Sequence, residues 1–129
     1  MSTLPVVGHW INGAEFASTS SRQAEVFNPA TGAVTKHVAL ANQTDISAAI
    51  ESAKSAFADW RDTPQSKKQS IMFAFRELLN EHKGELAEII TNEHGKVLSD
   101  ALGEITRGQE VVEFACGMPH LLKGFYTEN

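Results

Sequence analysis

The chain has 129 residues, 42% hydrophobic and 21% charged, with 11 Lys and Arg against 16 Asp and Glu, a formal net charge of −5. That length fits one domain with a core of its own. The acidic balance, with Lys and Arg scattered apart from Lys67-Lys68, argues against a nucleic-acid surface, which needs a basic patch, and no apolar run approaches the roughly 20 residues of a membrane span.

The start, MSTLPVVGHW, lacks the basic and apolar regions of a signal peptide. The first forty residues then read as strands, near 8–11, 14–17, 24–27 and 34–39. Asn12-Gly13 sits between apolar residues and supplies the positive φ angles of a tight hairpin turn. Asn28-Pro29-Ala30-Thr31-Gly32 supplies a second turn. From residue 42 the period changes. Asn42 can cap a helix, with Asp45 near its positive end. Ile46, Ala49, Ile50, Ala53, Phe57 and Trp60 then recur at helical spacing. Thr63-Pro64 stops this helix and starts the next, with Thr63 as cap and Pro64 at the first helical position. The second helix carries Ile71, Met72, Phe75, Leu78 and Leu79 on one face. Gly84 is expected to break or bend it, because glycine in a helix costs about 1 kcal/mol relative to alanine. Leu86, Ile89 and Ile90 continue the face, and Gly95 closes it. The third helix spans about 98–116, with Ala101, Leu102, Ile105, Val112 and Ala115 as its stripe; Gly117 and Pro119 end it. The expected organisation is two β-hairpins over 1–41 followed by three or four amphipathic helices over 42–122. Strands this few and short do not cover so much apolar helical surface.

The chemistry-bearing candidates are few. Cys116 and His120 are four apart, a spacing that makes neighbours on a helix and would suit a thiolate–imidazole pair. Gly117 and Pro119 break the register between them, and Cys116 ends an apolar stripe, so a packing cysteine is the favoured reading. A single cysteine forms no internal disulfide, in keeping with a reducing, cytoplasmic setting. His9, His37, His82 and His94 form no metal-ligand spacing, so no metal is expected. Glu110 with Glu113, and Asp100 with Glu104, read as solvated helix faces. No glycine-rich phosphate loop is present. Arg107 stands apart. It precedes Gly108 and follows Gly103 by one turn, where it could offer its planar fork to a carboxylate in two parallel hydrogen bonds. The alternative is an ordinary ion pair with Glu104 or Glu110, three residues away on either side.

The order WINGAEF, VFNPATGAV, AFADWRDTP, FRELLNEHKGELAEIITNEHGK and ALGEITRG resembles the N-terminal portion of the aldehyde dehydrogenases. GEITRGQEVVEFACGMPHLLKG, with MFAFRELL, looks like the CoA-acylating methylmalonate-semialdehyde dehydrogenases. The resemblance covers essentially the whole chain. It implies an α+β segment of an α/β fold, residues 1–129 forming the N-terminal part of the cofactor-binding domain, with the catalytic domain outside them. It implies oxidation of methylmalonate or malonate semialdehyde, with NAD and coenzyme A as cosubstrates of the complete enzyme and neither bound by this chain alone. It also implies a place in valine or inositol catabolism. The implied partners are the remainder of the dehydrogenase polypeptide and further copies in a tetramer. Cys116 does not match the family's catalytic cysteine. Arg107 matches an arginine taken to bind the substrate's carboxylate. The resemblance further implies that the isolated chain is inactive. The other readings are a free-standing oligomerisation module on the same scaffold, a different semialdehyde dehydrogenase, and a small thiol enzyme using Cys116 and His120.

Overall fold

The computed structural model describes residues 4–125. Five strands precede four helices: β1 Val6–Val7, β2 His9–Ile11, β3 Ala14–Phe16, β4 Gln23–Asn28, β5 Ala33–Ala39, α1 Gln43–Asp62, α2 Gln65–His94, α3 Leu98–Cys116 and α4 Met118–Leu122. Two compact units divide them. One runs to Asp62 and includes Glu93–Gly95; the other holds Thr63–Asn92 and the chain from Lys96 onward.

Both hairpins form where the turn chemistry requires. Asn12 and Gly13 take φ angles of 56° and 73°, and β2 pairs antiparallel with β3 through Trp10 and Glu15. At the second turn the Asn28 carbonyl accepts from the backbone N–H groups of Thr31 and Gly32, and its side chain accepts from Ala30 N. β4 pairs antiparallel with β5, with a register shift between Val26 and Phe27. β1 adds a parallel strand to the other side of β5, Val6 opposite His37, giving the order β1-β5-β4. Two residues are too few to show a period, which is why this strand escapes a pattern reading.

Asn42 caps α1 reciprocally. Asp45 N donates to Asn42 Oδ1 at 3.0 Å, and Asn42 N donates to Asp45 Oδ2 at 3.0 Å. This is a capping box with aspartate in the usual glutamate position. Asp45 does more than complement the helix end. Its carboxylate is buried and accepts from Ser18 Oγ at 2.5 Å and from Thr19 N at 3.3 Å, while His9 Nε2 lies 3.8 Å away. One side chain thus ties the loop after β3 to the start of α1. The Ser18 hydrogen bond, then that of Asn42 N, holds the Asp45 pKa below the ordinary carboxylate value, against the opposing effect of burial.

Three expectations need correction. α2 runs unbroken through Gly84 for 30 residues; the penalty of one glycine is too small to interrupt so long a helix. Pro64 is not the first helical residue. Its carbonyl accepts from Lys67 N and Lys68 N, which makes it the cap of α2. Gly117 and Pro119 end α3, but Pro119 also opens the short helix α4, where its missing N–H does no harm.

α2 ends at Gly95, whose φ is +85°, a left-handed cap. A Cβ there would stand 2.9 Å from Pro29 Cγ, in the β4–β5 turn. Lys36 on β5 also reaches Glu93 at 2.6 Å.

In the second unit α2 and α3 run antiparallel. Gln69, near the start of α2, donates Nε2 to the Cys116 carbonyl at the end of α3, at 2.7 Å. Further along α2, Arg76 meets Glu113 and Gln109, which lie earlier on α3.

The buried apolar residues among those described are small: Ala39, Ala87, Ala101 and Cys116. The large ones are half-buried, such as Val38, Leu79 and Ile105, or exposed, Trp10 at 72% and Phe57 at 57% among them. The α1 stripe is therefore formed but uncovered within its own unit, as Ile46, Ile50 and Trp60 also show.

Gly95→Ala should destabilise the chain by about 1–2 kcal/mol or more, because strain at positive φ and the Pro29 clash act together; Gly13→Ala, where a Cβ meets nothing within 4 Å, should lose only the first of these. Urea unfolding measures both. The depressed Asp45 pKa contributes stability above about pH 4, where the unfolded carboxylate is already ionised. That contribution is lost as pH falls through the lower folded value. Melting curves from pH 6 to pH 2 should therefore show a steeper fall in Tm below pH 4 for the native chain than for Asp45→Asn.

Candidate functional site

α3 presents two unlike faces. Ala101, Gln109 and Cys116 are buried on one, joined by half-buried Leu102, Ile105, Val112 and Ala115. Arg107 lies two residues from Gln109, about 200° around a helix of 3.6 residues per turn, and so on the opposite, exposed side. Val111 and Phe114, one and two turns on from Arg107, share that side at 68% and 70% exposure. Gly103 and Gly108 border it, and a Cβ added at either would meet nothing within 4 Å. The arginine therefore stands on an open surface, with Gly103, Gly108, Val111 and Phe114 beside it and the exposed Glu104 and Glu110 one turn away on either side.

The ion pair weighed for Arg107 does not form. Glu104 Oε1 is taken by Lys96 Nζ at 2.5 Å. Arg107 has no hydrogen-bond or ion-pair partner among the described residues.

Glu113 is not merely a solvated residue beside Glu110. Arg76 Nε donates to its Oε1 at 2.9 Å, and Arg76 Nη1 donates to Glu77 Oε1 at 2.8 Å. With the Gln109 amide oxygen turned toward the guanidinium, it accepts from Nη2 at 3.1 Å and from Nε at 3.2 Å. The carboxylates of Glu113, then of Glu77, push the Arg76 pKa upward. Sequence reasoning missed this cluster. Its only signal was Gln109, a polar residue at helical spacing from Ala101, Ile105, Val112 and Cys116 on a face otherwise apolar.

Cys116 is a buried free thiol at the last turn of α3. His120 is exposed on α4, its backbone N–H bonded to the Gly117 carbonyl. No hydrogen bond joins the two side chains among the described residues. Of the other histidines, His9 and His37 lie on strands, while His82 and His94 lie on α2. Among the described residues no group of three or more His, Cys, Asp or Glu could hold a metal ion, and no helix is long and apolar enough to cross a membrane.

The sequence profile of the aldehyde dehydrogenase family matches residues 16–129. The malonate-semialdehyde dehydrogenase of Pseudomonas aeruginosa is 43% identical over 121 residues, 94% of this chain and 24% of that protein. The acylating, mitochondrial methylmalonate-semialdehyde dehydrogenase of Arabidopsis thaliana is 44% identical over 125 residues, 97% of this chain and 21% of that one. A Sinorhizobium meliloti protein assigned as a methylmalonate-semialdehyde dehydrogenase, crystallised with NAD, superimposes with a TM-score of 0.93 at 46% identity, over 99% of this chain and 26% of its own. The chain thus spans about a quarter of the length of these relatives and corresponds to their N-terminal portion.

Buried and unpaired with a base, Cys116 should react slowly with iodoacetamide in the native chain and rapidly once urea unfolds it. Fast, pH-dependent labelling of the folded chain well below an ordinary thiol's titration range would contradict the packing role.

Proposed function

The chain belongs to the aldehyde dehydrogenase family, and from that premise we propose that it contributes the N-terminal segment of a CoA-acylating malonate- or methylmalonate-semialdehyde dehydrogenase, in which Arg107 binds the substrate's carboxylate. The unpaired guanidinium carries this reading. A semialdehyde of this class has a carbonyl at one end and a carboxylate at the other. A fixed cation that grips the carboxylate aims the carbonyl at the reacting groups and converts binding into orientation. Val111 and Phe114 on the same side would exclude water and strengthen that attraction.

On this reading residues 1–129 start the cofactor-binding domain, and the nucleophilic cysteine and the nucleotide-binding segment belong to sequence beyond them. NAD supplies the hydride acceptor and coenzyme A the acyl acceptor of the complete enzyme, giving propionyl-CoA or acetyl-CoA with loss of carbon dioxide. No residue of this chain is assigned to hold either molecule. The uncovered α1 stripe supports burial against the remaining polypeptide or a further copy in a tetramer. The single cysteine supports a cytoplasmic setting.

Residues 1–129 alone should not reduce NAD with malonate semialdehyde; turnover by the purified chain would overturn the assignment. In the family-length enzyme carrying this segment, Arg107→Leu should lower kcat/KM for malonate semialdehyde by roughly 100-fold while changing propanal oxidation little. An unchanged ratio between the two aldehydes would remove Arg107 from the site.

A further inference from the structure

Gln109 is the one buried polar side chain on α3 among the described residues, and it faces α2 opposite Arg76. The contacts between the two helices repeat with one spacing. Gln69 meets the carbonyl of Cys116; seven residues later on α2, Arg76 meets Gln109, seven residues earlier on α3. Seven residues are about two helical turns, so both contacts lie on one seam of each helix. Glu113, one turn beyond Gln109, takes a second bond from the same guanidinium at 2.9 Å. The fully buried apolar residues of these helices are Ala87 and Ala101, and half-buried Leu102, Ile105 and Val112 share the inward face of α3; such apolar contacts select a face but are not directional. The buried Gln109 amide does resist rotation or sliding, because a shifted register leaves it unsatisfied, and the part-exposed pair of Arg76 with Glu113 adds a directional bond beside it.

Arg107 sits on the exposed side of α3, opposite the buried Gln109. Rotating α3 by roughly 15° would carry a guanidinium about 6 Å from the helix axis through about 1.5 Å. That is enough to spoil a two-bond grip on a carboxylate. We propose that Arg76 is a positioning residue for substrate selection: by holding Gln109 and Glu113 it fixes the rotation of α3 and so aims Arg107 at the carboxylate of the semialdehyde. This rests on the reading of Arg107 given under Proposed function. Arg76 touches no substrate. Its removal acts on how well a carboxylated aldehyde is held and leaves a plain aldehyde untouched.

The test compares malonate semialdehyde with propanal in the family-length enzyme carrying this segment. Arg76→Met should raise KM for malonate semialdehyde about tenfold, with kcat within about threefold and propanal kinetics unchanged. Arg76→Lys keeps the charge but not the fork and should fall between. Equal losses for both aldehydes, or no loss for either, would overturn the proposal. If Arg76→Met does not fold, Glu113→Gln, which keeps the shape of the acceptor and removes its charge, is read by the same criteria. Arg107→Leu separates this proposal from the reading beneath it. If that variant leaves the preference for the carboxylated aldehyde intact, the reading and this proposal fall together. If it abolishes the preference while Arg76→Met and Glu113→Gln retain it, the positioning role alone falls.

Discussion

α3 is held on α2 by polar side chains, and the rest of the functional geometry depends on that hold. Gln69 satisfies a carbonyl that the end of α3 would otherwise leave without a partner. Arg76 satisfies a buried amide and a carboxylate at once. These bonds are directional, where apolar packing is not. Together with the stripe of Leu102, Ile105 and Val112 they turn one side of α3 inward. Everything on the opposite side, Arg107 with Val111 and Phe114, is exposed as a consequence.

The first unit applies the same economy at Asp45. A short loop after β3 and the first turn of α1 share one buried carboxylate, which closes a capping box and takes a hydroxyl and a further backbone N–H besides. In both units specific polar contacts orient the elements while several large apolar side chains, Trp10, Phe57 and Phe114 among them, remain on open faces.

Much of this was legible in the residues. Asn12-Gly13 and Asn28 to Gly32 specify their hairpins by turn chemistry, and Asn42 with Asp45 specifies the start of α1. The α3 boundaries follow from its stripe and from Gly117. What escaped was non-local. The pairing of Val6–Val7 with β5 involves two residues and partners 31 positions away, His37 and Val38. Ser18 bonds Asp45 across 27 residues, and Arg76 bonds Glu113 across 37. No periodicity encodes such partners. Gly84 misled for a different reason: a local penalty was read without weighing it against a 30-residue helix. At the candidate site, the exposed Arg107 was legible as an oddity between two glycines, whereas the clamp that orients its helix was not.

The central claim is that Arg107 binds the carboxylate of a semialdehyde. A crystal structure of the family-length enzyme carrying this segment, soaked with a malonate-semialdehyde analogue, tests it most directly. Both oxygens of the ligand's carboxylate should lie within about 3.2 Å of the Arg107 guanidinium nitrogens. A carboxylate held by another cation, with Arg107 left in solvent, would contradict it.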